Sequence, residues 1–340
     1  MGAGIAYQLA LGGAEEVVLA DRGRVAGGST AKAMGGVRQQ FSTAAEVLLA
    51  RESIAFFAEL GPPFFDQVGY LFVATTEQGV ADLEARRLVQ AELGVPVEHV
   101  DAAFVEGLET RDVLGAVFCA QDGVADPPAV AAELARRAAE LGVEIREQTP
   151  AEGLLEQADT VVIACGPWSA ALGARLGVEL PVRPLCRQLL ATAPLPVGAS
   201  LPMVVEAETG FHFRRRGDRV VLAMSDAAPR WGFDTSVDET VFGDRLERLV
   251  RRFPPARGTT IAEGWAGLYD MTPDAHPIIG KVADGVYAAC GFSGHGFMQS
   301  PAVGRAVAAA ILGLPPVVDL EPYSLARFDG SLSFPETVVL

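Results

Sequence analysis

The amino-acid sequence predicts an α/β fold in which strand–helix units at both ends of the chain flank a more antiparallel middle. Near both termini, short apolar runs alternate with helical segments, which is typical of parallel strands joined by helices. In the middle, residues 210–224 alternate apolar and polar side chains about Gly217-Asp218, as a β-hairpin does. We therefore expect a Rossmann-like nucleotide-binding domain with an interleaved antiparallel-sheet (α+β) domain.

The N-terminal elements follow from local sequence signals. Residues 1–10 are small and apolar and stop at Gly12-Gly13, which predicts a helix. Residues 16–21 form an apolar run that ends in an acid, as a buried parallel strand does, and a Gly/Ser-rich loop follows over 23–36. Apolar residues lie on one face of a predicted helix over 44–60, which Pro62-Pro63 ends. A strand over 70–74 and a helix over 80–93 complete this part.

The later elements follow the same kinds of signal. Proline residues and Asp126 precede a predicted helix over 129–141, and another helix is predicted over 238–253. Strands are predicted over 143–145, 160–165 and 285–290. A Gly-rich turn over 291–296 leads to a last helix that we expect Ser300 to cap, with Pro301 at its first position and its end at Gly313.

Composition excludes several classes of protein. Half of the residues are hydrophobic (50%), so the chain can bury a core and intrinsic disorder is disfavoured. The 27 Lys and Arg against 43 Asp and Glu give a net charge of −16, which disfavours a nucleic-acid partner. The four Cys show no C-x-x-C spacing, so no metal site is predicted and a reducing compartment is favoured.

No apolar run reaches the roughly 18 residues that a membrane helix needs. The longest candidate, residues 306–318, is broken by Gly313 and two prolines, and the N-terminus shows no signal-peptide pattern. We therefore expect a cytoplasmic protein with no membrane span.

The N-terminal helix and the following strand match part of a dinucleotide-binding fingerprint. Gly2 fits the last glycine of G-x-G-x-x-G, where backbone N–H groups approach a pyrophosphate. Asp21 ends the next strand, where an acid binds the ribose hydroxyls. The first strand and first two glycines are absent, and a central strand is costly to lose. We expect the natural chain to begin upstream of Met1; a decayed or cofactor-free fragment is the alternative.

Four segments of the chain stand out by their composition and spacing. They are 27–30 (GGST), 164–169 (ACGPWS), 267–280 (GLYDMTPDAHPIIG) and 291–298 (GFSGHGFM). With these segments the chain resembles the FAD-dependent D-amino-acid oxidase superfamily, in the branch of sarcosine and glycine oxidases and proline dehydrogenases. Their order and spacing follow this family over nearly the whole chain.

The resemblance implies an FAD-binding domain over 1–62, 124–172 and 268–340, and a substrate domain over 63–123 and 173–267. It implies that the turn over 291–296 lies against the flavin ring, with the positive end of the last helix directed at that ring. The implied cofactor-binding residues are Gly2, Asp21, Arg22, Ser29, Thr30, Lys32, Gly166, Trp168, Gly291, Gly294, His295, Gly296, Phe297 and Met298.

The family's reaction is oxidation of an amine carbon by hydride transfer to flavin, after which the imine product hydrolyses. We expect a small amino acid or secondary amine of the sarcosine, proline or glycine type as substrate. Arg38 lies in a segment that faces flavin and substrate in the family, and a guanidinium can bind a carboxylate through two hydrogen bonds. Tyr269 would assist at that carboxylate, and His295 would hydrogen-bond near the ring. Of the other histidines, His276 is expected to be structural and His212 to approach the substrate.

The sequence departs from the family at informative positions. Relatives attach flavin through a Cys where Gly267 stands, or through a His where Lys32 stands, so noncovalent FAD is expected. Lys32 either offers charge to the cofactor or is a solvated loop residue. Val221 and Met298 stand where oxidases carry lysines, which favours a dehydrogenase. The connection over 148–159 is too short for the family's usual hairpin. The contact with the adenosine part of FAD that is normally supplied near this hairpin is therefore not predicted here.

Two other functions stay open at this point. One is a non-catalytic FAD-binding assembly or accessory subunit of the same fold, which would act within a hetero-oligomer. The other is a truncated fragment that cannot bind FAD. The electron acceptor is not indicated by the sequence.

Overall fold

A computed structural model describes residues 1–330, 335–337 and 339–340. Its helices are α1 Gly2–Leu11, α2 Ala44–Leu60, α3 Glu77–Glu92, α4 Pro127–Glu140, α5 Ser169–Arg175, α6 Phe242–Arg252 and α7 Gly296–Leu312. Its strands are β1 Val18–Ala20, β2 Gly36–Val37, β3 Phe65–Asp66, β4 Tyr70–Ala74, β5 Val97–His99, β6 Gly115–Cys119, β7 Gly123–Ala125, β8 Glu144–Arg146, β9 Val161–Ile163, β10 Arg183–Thr192, β11 Met203–Glu206, β12 His212–Arg216, β13 Arg219–Ala223, β14 Arg230–Trp231, β15 Ile261–Met271, β16 Ile278–Ala283 and β17 Val286–Cys290.

The parallel strands lie in two small sheets. Strand β1 pairs in parallel with β8, and β17 pairs in parallel with β9 and antiparallel with β16. Gly2 lies between the two sheets: a Cβ at this residue would be 3.1 Å from Leu19 Cδ1 on one side and 4.0 Å from Ala164 Cβ on the other. The helices α1, α4 and α7 pack together beside these strands.

The middle of the chain forms one large sheet. Its strand order is β14-β10-β13-β12-β11-β4-β6-β5, and β15 pairs with β10 over most of its length. Most neighbours are antiparallel, but β4 and β11 are parallel. Leucine, valine and phenylalanine side chains from this sheet and from α6 form the largest core cluster. A small third sheet, β2-β7-β3, joins the two parts.

Side-chain caps explain where several helices begin. The side chains of Thr43, Thr76 and Asp126 accept hydrogen bonds from backbone N–H groups three residues later, at the first turns of α2, α3 and α4. The predicted hairpin is present as β12 and β13. The connection from β8 to β9 holds two short 3₁₀ turns and no strand over residues 151–157, as its length predicts.

The predicted start of the last helix is wrong. Helix α7 begins at Gly296, inside the Gly-rich turn, and Pro301 lies within the helix. Proline has no N–H for the carbonyl four residues earlier, which is that of Phe297. The Ser300 hydroxyl donates to this carbonyl oxygen at 2.8 Å. Ser300 therefore supplies the hydrogen bond that Pro301 does not donate, and the helix continues through this position.

Two further differences concern extents. The region predicted as one helix over 238–253 begins with a 3₁₀ turn, and α6 proper runs from Phe242 to Arg252. The long strands β10 and β15 were not predicted from the sequence.

In the part of the chain that the structure describes, no helix is long and apolar enough to cross a membrane.

Candidate active site

Residues at the carboxyl ends of the parallel strands mark a ligand-binding edge. Asp21 follows β1, Gly166 comes soon after β9, and Gly291 follows β17. In α/β folds, ligands bind at this edge of the parallel strands. Gly2 begins α1 at the same edge, so the free N–H groups of the first turn of α1 are available to an anion.

A second group of predicted residues lies at the outer part of this edge. The Arg22 guanidinium is 4.0 Å from the centre of the Trp168 ring. Trp168 also stacks on Phe233, with 5.8 Å between ring centres. Asp21 is exposed, and its Oδ1 accepts a hydrogen bond from Gly23 N at 2.7 Å. This arrangement leaves Oδ2 of Asp21 for a hydroxyl-bearing ligand.

A cavity opens between the parallel strands and the large sheet. It brings together predicted residues from three separate stretches of the chain: Ser29, Thr30, Lys32, Arg38, Tyr269, Gly294, His295, Gly296, Phe297 and Met298. His212, which the sequence also points to, lines it as well, and so do residues that were not predicted, among them Tyr70, Arg187, Asp270 and Leu340. Gly2, Asp21, Arg22, Gly166, Trp168 and Gly291 are not among its lining residues.

The Gly-rich turn can approach a flat ligand because side chains are absent there. Gly294 has φ +96°, and a Cβ at this residue would lie 2.6 Å from Tyr269 Cζ. Gly291 has φ +76°, and a Cβ there would overlap Thr272 Cγ2. Both positions require glycine for conformation and for space.

The positive end of α7 faces the cavity. His295 is the residue before the helix, and both His295 and Gly296 line the cavity. Free N–H groups in the first turn of a helix stabilise negative charge nearby. The corrected start of α7 places this end closer to the turn than the predicted start at Pro301 would.

Arg38 is buried, with 1% of its surface exposed, yet its guanidinium lines the cavity. Its Nη1 donates to Gln40 O, and its Nη2 lies 3.4 Å from His295 Nε2. The guanidinium carbon also lies 4.0 Å from the centre of the Phe41 ring. Arg38 and His295 are therefore one connected unit at the end of the cavity near α7.

Tyr269 lies across from this unit. Its hydroxyl donates to Leu340 O at 2.7 Å, and its ring centre is 5.6 Å from the Arg187 guanidinium carbon. Burial raises the pKa of Tyr269, and the positive charges of Arg187 and Arg38 oppose that rise. The phenol is therefore neutral and can donate a hydrogen bond to a ligand oxygen.

His212 lines the same cavity from β12, as expected. Its Nδ1 is 2.8 Å from Gly210 O, and because a carbonyl oxygen only accepts, the proton lies on Nδ1. The pKa of His212 is lowered to about 4, mainly by burial and also by the charge of Arg38, against the raising effect of the hydrogen bond with Gly210. Neutral His212 therefore has a hydrogen-bond-accepting Nε2. Burial also raises the pKa of nearby Tyr70 to about 12.

Asp270 was not predicted as a site residue. It adjoins Tyr269 on β15, and its Oδ2 accepts from Gly291 N at 2.7 Å. Burial raises its pKa to about 6, against the lowering effect of hydrogen bonds from Phe292 and Gly291. Asp270 thus fixes the start of the Gly-rich turn against β15.

Asp122 was also missed, and it holds the segment that carries Arg38. Its Oδ1 accepts from Gln39 N at 3.0 Å, and its Oδ2 accepts from Gln40 Nε2 at 3.0 Å. Asp122 is fully buried, and burial raises its pKa to about 6. The two residues that follow Arg38 are therefore tied to a carboxylate that lies 84 positions after Arg38 in the chain.

A buried cluster supports the turn from behind. The His276 Nδ1 is 2.9 Å from Glu46 Oε1, and Gln299 Nε2 donates to Glu46 Oε2. Glu46 and His276 are both almost fully buried, and burial raises the pKa of Glu46. This cluster joins α2, the loop before β16 and α7, which agrees with the structural role expected for His276.

The loop over residues 29–32 packs directly on β15. Ser29 Oγ donates to Leu268 O at 2.9 Å, and Trp265 Nε1 donates to Lys32 O at 3.1 Å. A Cβ at Gly267 would lie only 2.7 Å from Lys32 Cβ. Glycine at 267 thus allows the Lys32 segment to approach β15, and position 267 offers no thiol.

Fold and site together define a dinucleotide-binding protein. One end of its ligand would lie at Gly2, Asp21 and Arg22, and the other in the cavity before α7. Two features of the site fit FAD. Helix α1 offers N–H groups for a pyrophosphate. The Gly-rich turn offers a flat surface for an electron-accepting ring, and the N-terminal end of α7 offers a positive dipole for that ring.

Comparison with known proteins agrees with this class. The family model "FAD dependent oxidoreductase" matches residues 1–310. The chain belongs to this family, whose cofactor is FAD. The structure therefore has the Rossmann-like FAD-binding fold with an antiparallel-sheet domain that the sequence predicts.

The relatives extend over nearly the whole chain. A glycine oxidase from Geobacillus kaustophilus is 27% identical over 365 positions, covering 98% of this chain and 96% of that protein. Human mitochondrial sarcosine dehydrogenase is 25% identical, covering 96% of this chain but 40% of that protein. The crystal structure of L-proline dehydrogenase from P. horikoshii superposes with a TM-score of 0.90 at 27% identity, covering 96% of this chain and 94% of that one.

Proposed function

We propose that this protein binds FAD noncovalently and oxidises a small amino acid or secondary amine of the sarcosine, proline or glycine type. The observation that carries the proposal is the cavity itself. It brings Arg38, His212 and Tyr269 to the N-terminal end of α7, so that a carboxylate-binding group faces the position of the electron acceptor. The relatives named above, a glycine oxidase, a sarcosine dehydrogenase and a proline dehydrogenase, support the substrate class.

The residues can orient an amino acid in one direction. Arg38 binds the substrate carboxylate, and the Tyr269 hydroxyl turns from Leu340 O to donate to the same carboxylate. His212 Nε2 accepts an N–H of the amine, because its own proton is held on Nδ1 by Gly210 O. Fixing both ends of a small substrate places the carbon between them in one position.

When bound, FAD would supply the redox chemistry, as the acceptor for a hydride from the carbon that bears the amine. The imine product then hydrolyses. The residues assist by keeping the amine neutral, since the positive charges of Lys32, Arg38 and Arg187 in the cavity disfavour an ammonium ion. His212, with a pKa near 4, is not a strong base and serves as a hydrogen-bond acceptor.

Two positions support a dehydrogenase over an oxidase. Val221 is an apolar residue with 1% exposure, and Met298 lines the cavity. Neither supplies the lysine charge that the resemblance associates with reaction with oxygen. We therefore propose that an acceptor other than oxygen takes the electrons.

Turnover with an artificial electron acceptor tests the proposal. The FAD-loaded protein is mixed with sarcosine, proline or glycine and the acceptor, with and without oxygen. We expect at least one amine to support acceptor reduction, with little hydrogen peroxide. FAD binding without turnover of any amine would instead favour the non-catalytic accessory subunit, and co-purification of partner subunits would strengthen that alternative.

Acid precipitation tests the noncovalent attachment. Gly267 has no nucleophilic side chain, and Lys32 at the other family attachment position has no ring nitrogen to form that bond. We expect all flavin to appear in the supernatant as FAD after the protein is precipitated with acid. Yellow colour that stays in the washed precipitate would contradict noncovalent binding.

A further inference from the structure

Arg187 is a cation in the cavity that the proposed mechanism uses only as a nearby positive charge and to which it assigns no ligand group. It lies on β10, and its guanidinium lines the cavity beside Tyr269. Its Nε is buried and has no hydrogen-bond partner among the residues that the structure describes. The same part of the chain shows no carboxylate within ion-pair distance of it, whereas nearby Arg230 pairs with Asp226 at 3.6 Å.

The cavity carries more positive charge than a substrate with one carboxylate needs. Its charged lining side chains are Lys32, Arg38 and Arg187 against Asp270, although the whole chain has a net charge of −16. Asp270 does not pair with these cations, because its carboxylate accepts hydrogen bonds from the Gly-rich turn. Lys32 is exposed and hydrated, so Arg187 is the main surplus charge.

Arg187 and Arg38 come from different elements and have different neighbours in the cavity. Arg38 is joined to His295 next to α7, whereas Arg187 comes from β10 and its guanidinium carbon lies 5.6 Å from the Tyr269 ring centre. The positive charges of both arginines oppose the rise that burial causes in the pKa of Tyr269. A guanidinium without a protein partner in an enclosed cavity is costly, and an anionic ligand group offsets that cost.

We propose that Arg187 binds a second carboxylate of the substrate, so that the preferred substrates are amino acids or secondary amines with two carboxylates. One carboxylate binds Arg38 and Tyr269, the other binds Arg187, and the amine lies between them near His212. This inference rests on the proposed function and specifies its substrate class.

Substrate comparison with matched variants tests the inference. Rates of FAD reduction in the loaded protein are measured with sarcosine, iminodiacetate and N-methylaspartate. The test variant is Arg187→Gln. The control is Arg183→Gln, because Arg183 lies on the same strand but is exposed and stacks on Trp231 outside the cavity.

We expect the wild-type protein to prefer a dicarboxylate. Arg187→Gln should lower kcat/KM for the dicarboxylate by about 30-fold or more, the loss typical of a charge-assisted pair. It should change kcat/KM for sarcosine by less than about threefold. Arg187→Lys should recover part of the loss, and Arg183→Gln should resemble wild type.

Three results would overturn the inference. An equal loss of kcat/KM for sarcosine in Arg187→Gln would mean that Arg187 binds the single carboxylate of sarcosine. A shift in the visible spectrum or reduction potential of bound FAD in Arg187→Gln without substrate would mean that Arg187 serves the cofactor. A wild-type preference for sarcosine would exclude a second carboxylate.

Binding without turnover separates this inference from the proposed function. Calorimetric titration with glutarate and with acetate needs no reaction. Tighter binding of glutarate by at least about tenfold, lost in Arg187→Gln, would support the second carboxylate even if no amine reduces FAD. Equal binding of the two acids would count against it whatever the activity.

Discussion

Arg38 depends for its position on residues that are remote in sequence. Asp122 binds Gln39 and Gln40, the two residues that follow Arg38, and His295 contacts the Arg38 guanidinium from the start of α7. The sequence identifies Arg38 through its resemblance to a family segment. It does not identify Asp122, because the hydrogen bonds that give Asp122 its role span more than 80 positions.

Substitution of Arg38 tests its proposed role in substrate binding. Arg38→Lys keeps the charge but loses the planar pair of donors, so KM for a carboxylate substrate should rise by about 10- to 100-fold. A primary or secondary amine without a carboxylate should react at nearly the wild-type rate. Steady-state kinetics with both substrate types check this. Equal losses with both would mean that Arg38 acts on the cofactor or on folding.

Asp122 should give the stability of the protein a distinct pH dependence. Its pKa is raised by burial from an ordinary value of 3.8 to about 6, so the folded state binds its proton more tightly than the unfolded state does. The contribution of Asp122 to stability is therefore present below about pH 4 and is lost as pH rises to about 6, a change of roughly 3 kcal/mol.

Denaturant unfolding of wild type and Asp122→Asn between pH 4 and pH 7 measures this contribution. The difference in the free energy of unfolding between the two proteins should change across that window, because only wild type titrates at this site. A difference that is constant with pH would show that Asp122 keeps an ordinary pKa.

Arg187, Asp270 and Glu46 were not predicted, whereas His212 was. No local pattern marks the first three: each acts through neighbours on other strands or helices, and only the fold brings those neighbours together. His212 was identified because it lies on a hairpin whose alternation is visible in the sequence.

Among the elements, α7 carries the most information about function. Its start at Gly296 places the turn, the helix dipole and His295 at one point. The prediction placed the start five residues later, because Ser-Pro is a common helix beginning. Here the Ser300 hydroxyl satisfies the carbonyl that Pro301 leaves without a donor, which a sequence pattern does not distinguish from a cap.

Alanine at Gly294 tests the turn. A Cβ there would collide with the Tyr269 ring, and the positive φ adds backbone strain. We expect FAD affinity to fall by about tenfold or more in a fluorescence titration. Gly258→Ala is the control, because Gly258 has φ +86° but no atom within 4 Å of the new Cβ. Comparable loss of FAD affinity in both variants would show that general strain, not the turn, is responsible.

The crossing of α1 and α7 fixes two helix ends relative to each other. A Cβ at Gly304 would lie 2.7 Å from Gly4 O, and one at Gly4 would lie 3.1 Å from Ser300 O. The helices therefore touch through backbone atoms. Since α1 begins at the predicted pyrophosphate end and α7 at the ring end, this crossing sets the spacing of the two ends of the cofactor site.

Gly304→Ala should separate these helices. We expect a loss of about 1–3 kcal/mol in the free energy of unfolding, typical of overpacking. Gly243→Ala in α6 is the control, because its Cβ meets nothing within 4 Å and alanine favours helix. Thermal unfolding of both variants checks this, and unchanged stability of Gly304→Ala would contradict the tight crossing.

Strands β10 and β15 were the main elements that the sequence did not reveal. Their pairing runs almost their full length and forms one wall of the cavity. In β15 two glycines, Gly264 and Gly267, interrupt the side-chain pattern, and β10 contains a proline and is largely buried toward its end, so neither shows a simple alternation. The shorter apolar runs of the parallel strands were easier to detect.

At the scale of the whole molecule, the fold and family follow from the sequence, while the chemistry of the cavity does not. Segments from residues 29–38, 187–189, 212–224 and 267–298 meet in one cavity only after the antiparallel sheet has formed. The domain boundaries over 1–62, 124–172 and 268–340 stay a prediction. The positive cavity in a chain of net charge −16 favours attraction of anionic ligands specifically to this point.

The central claim is that the cavity before α7 places an amine substrate against the ring of bound FAD. The visible spectrum of the FAD-loaded protein under anaerobic conditions, recorded as amino acids and secondary amines are added one by one, tests it most directly. We predict that at least one amine with a carboxylate bleaches the flavin absorbance within the mixing experiment. A protein that binds FAD but keeps its full absorbance with every amine would contradict the claim.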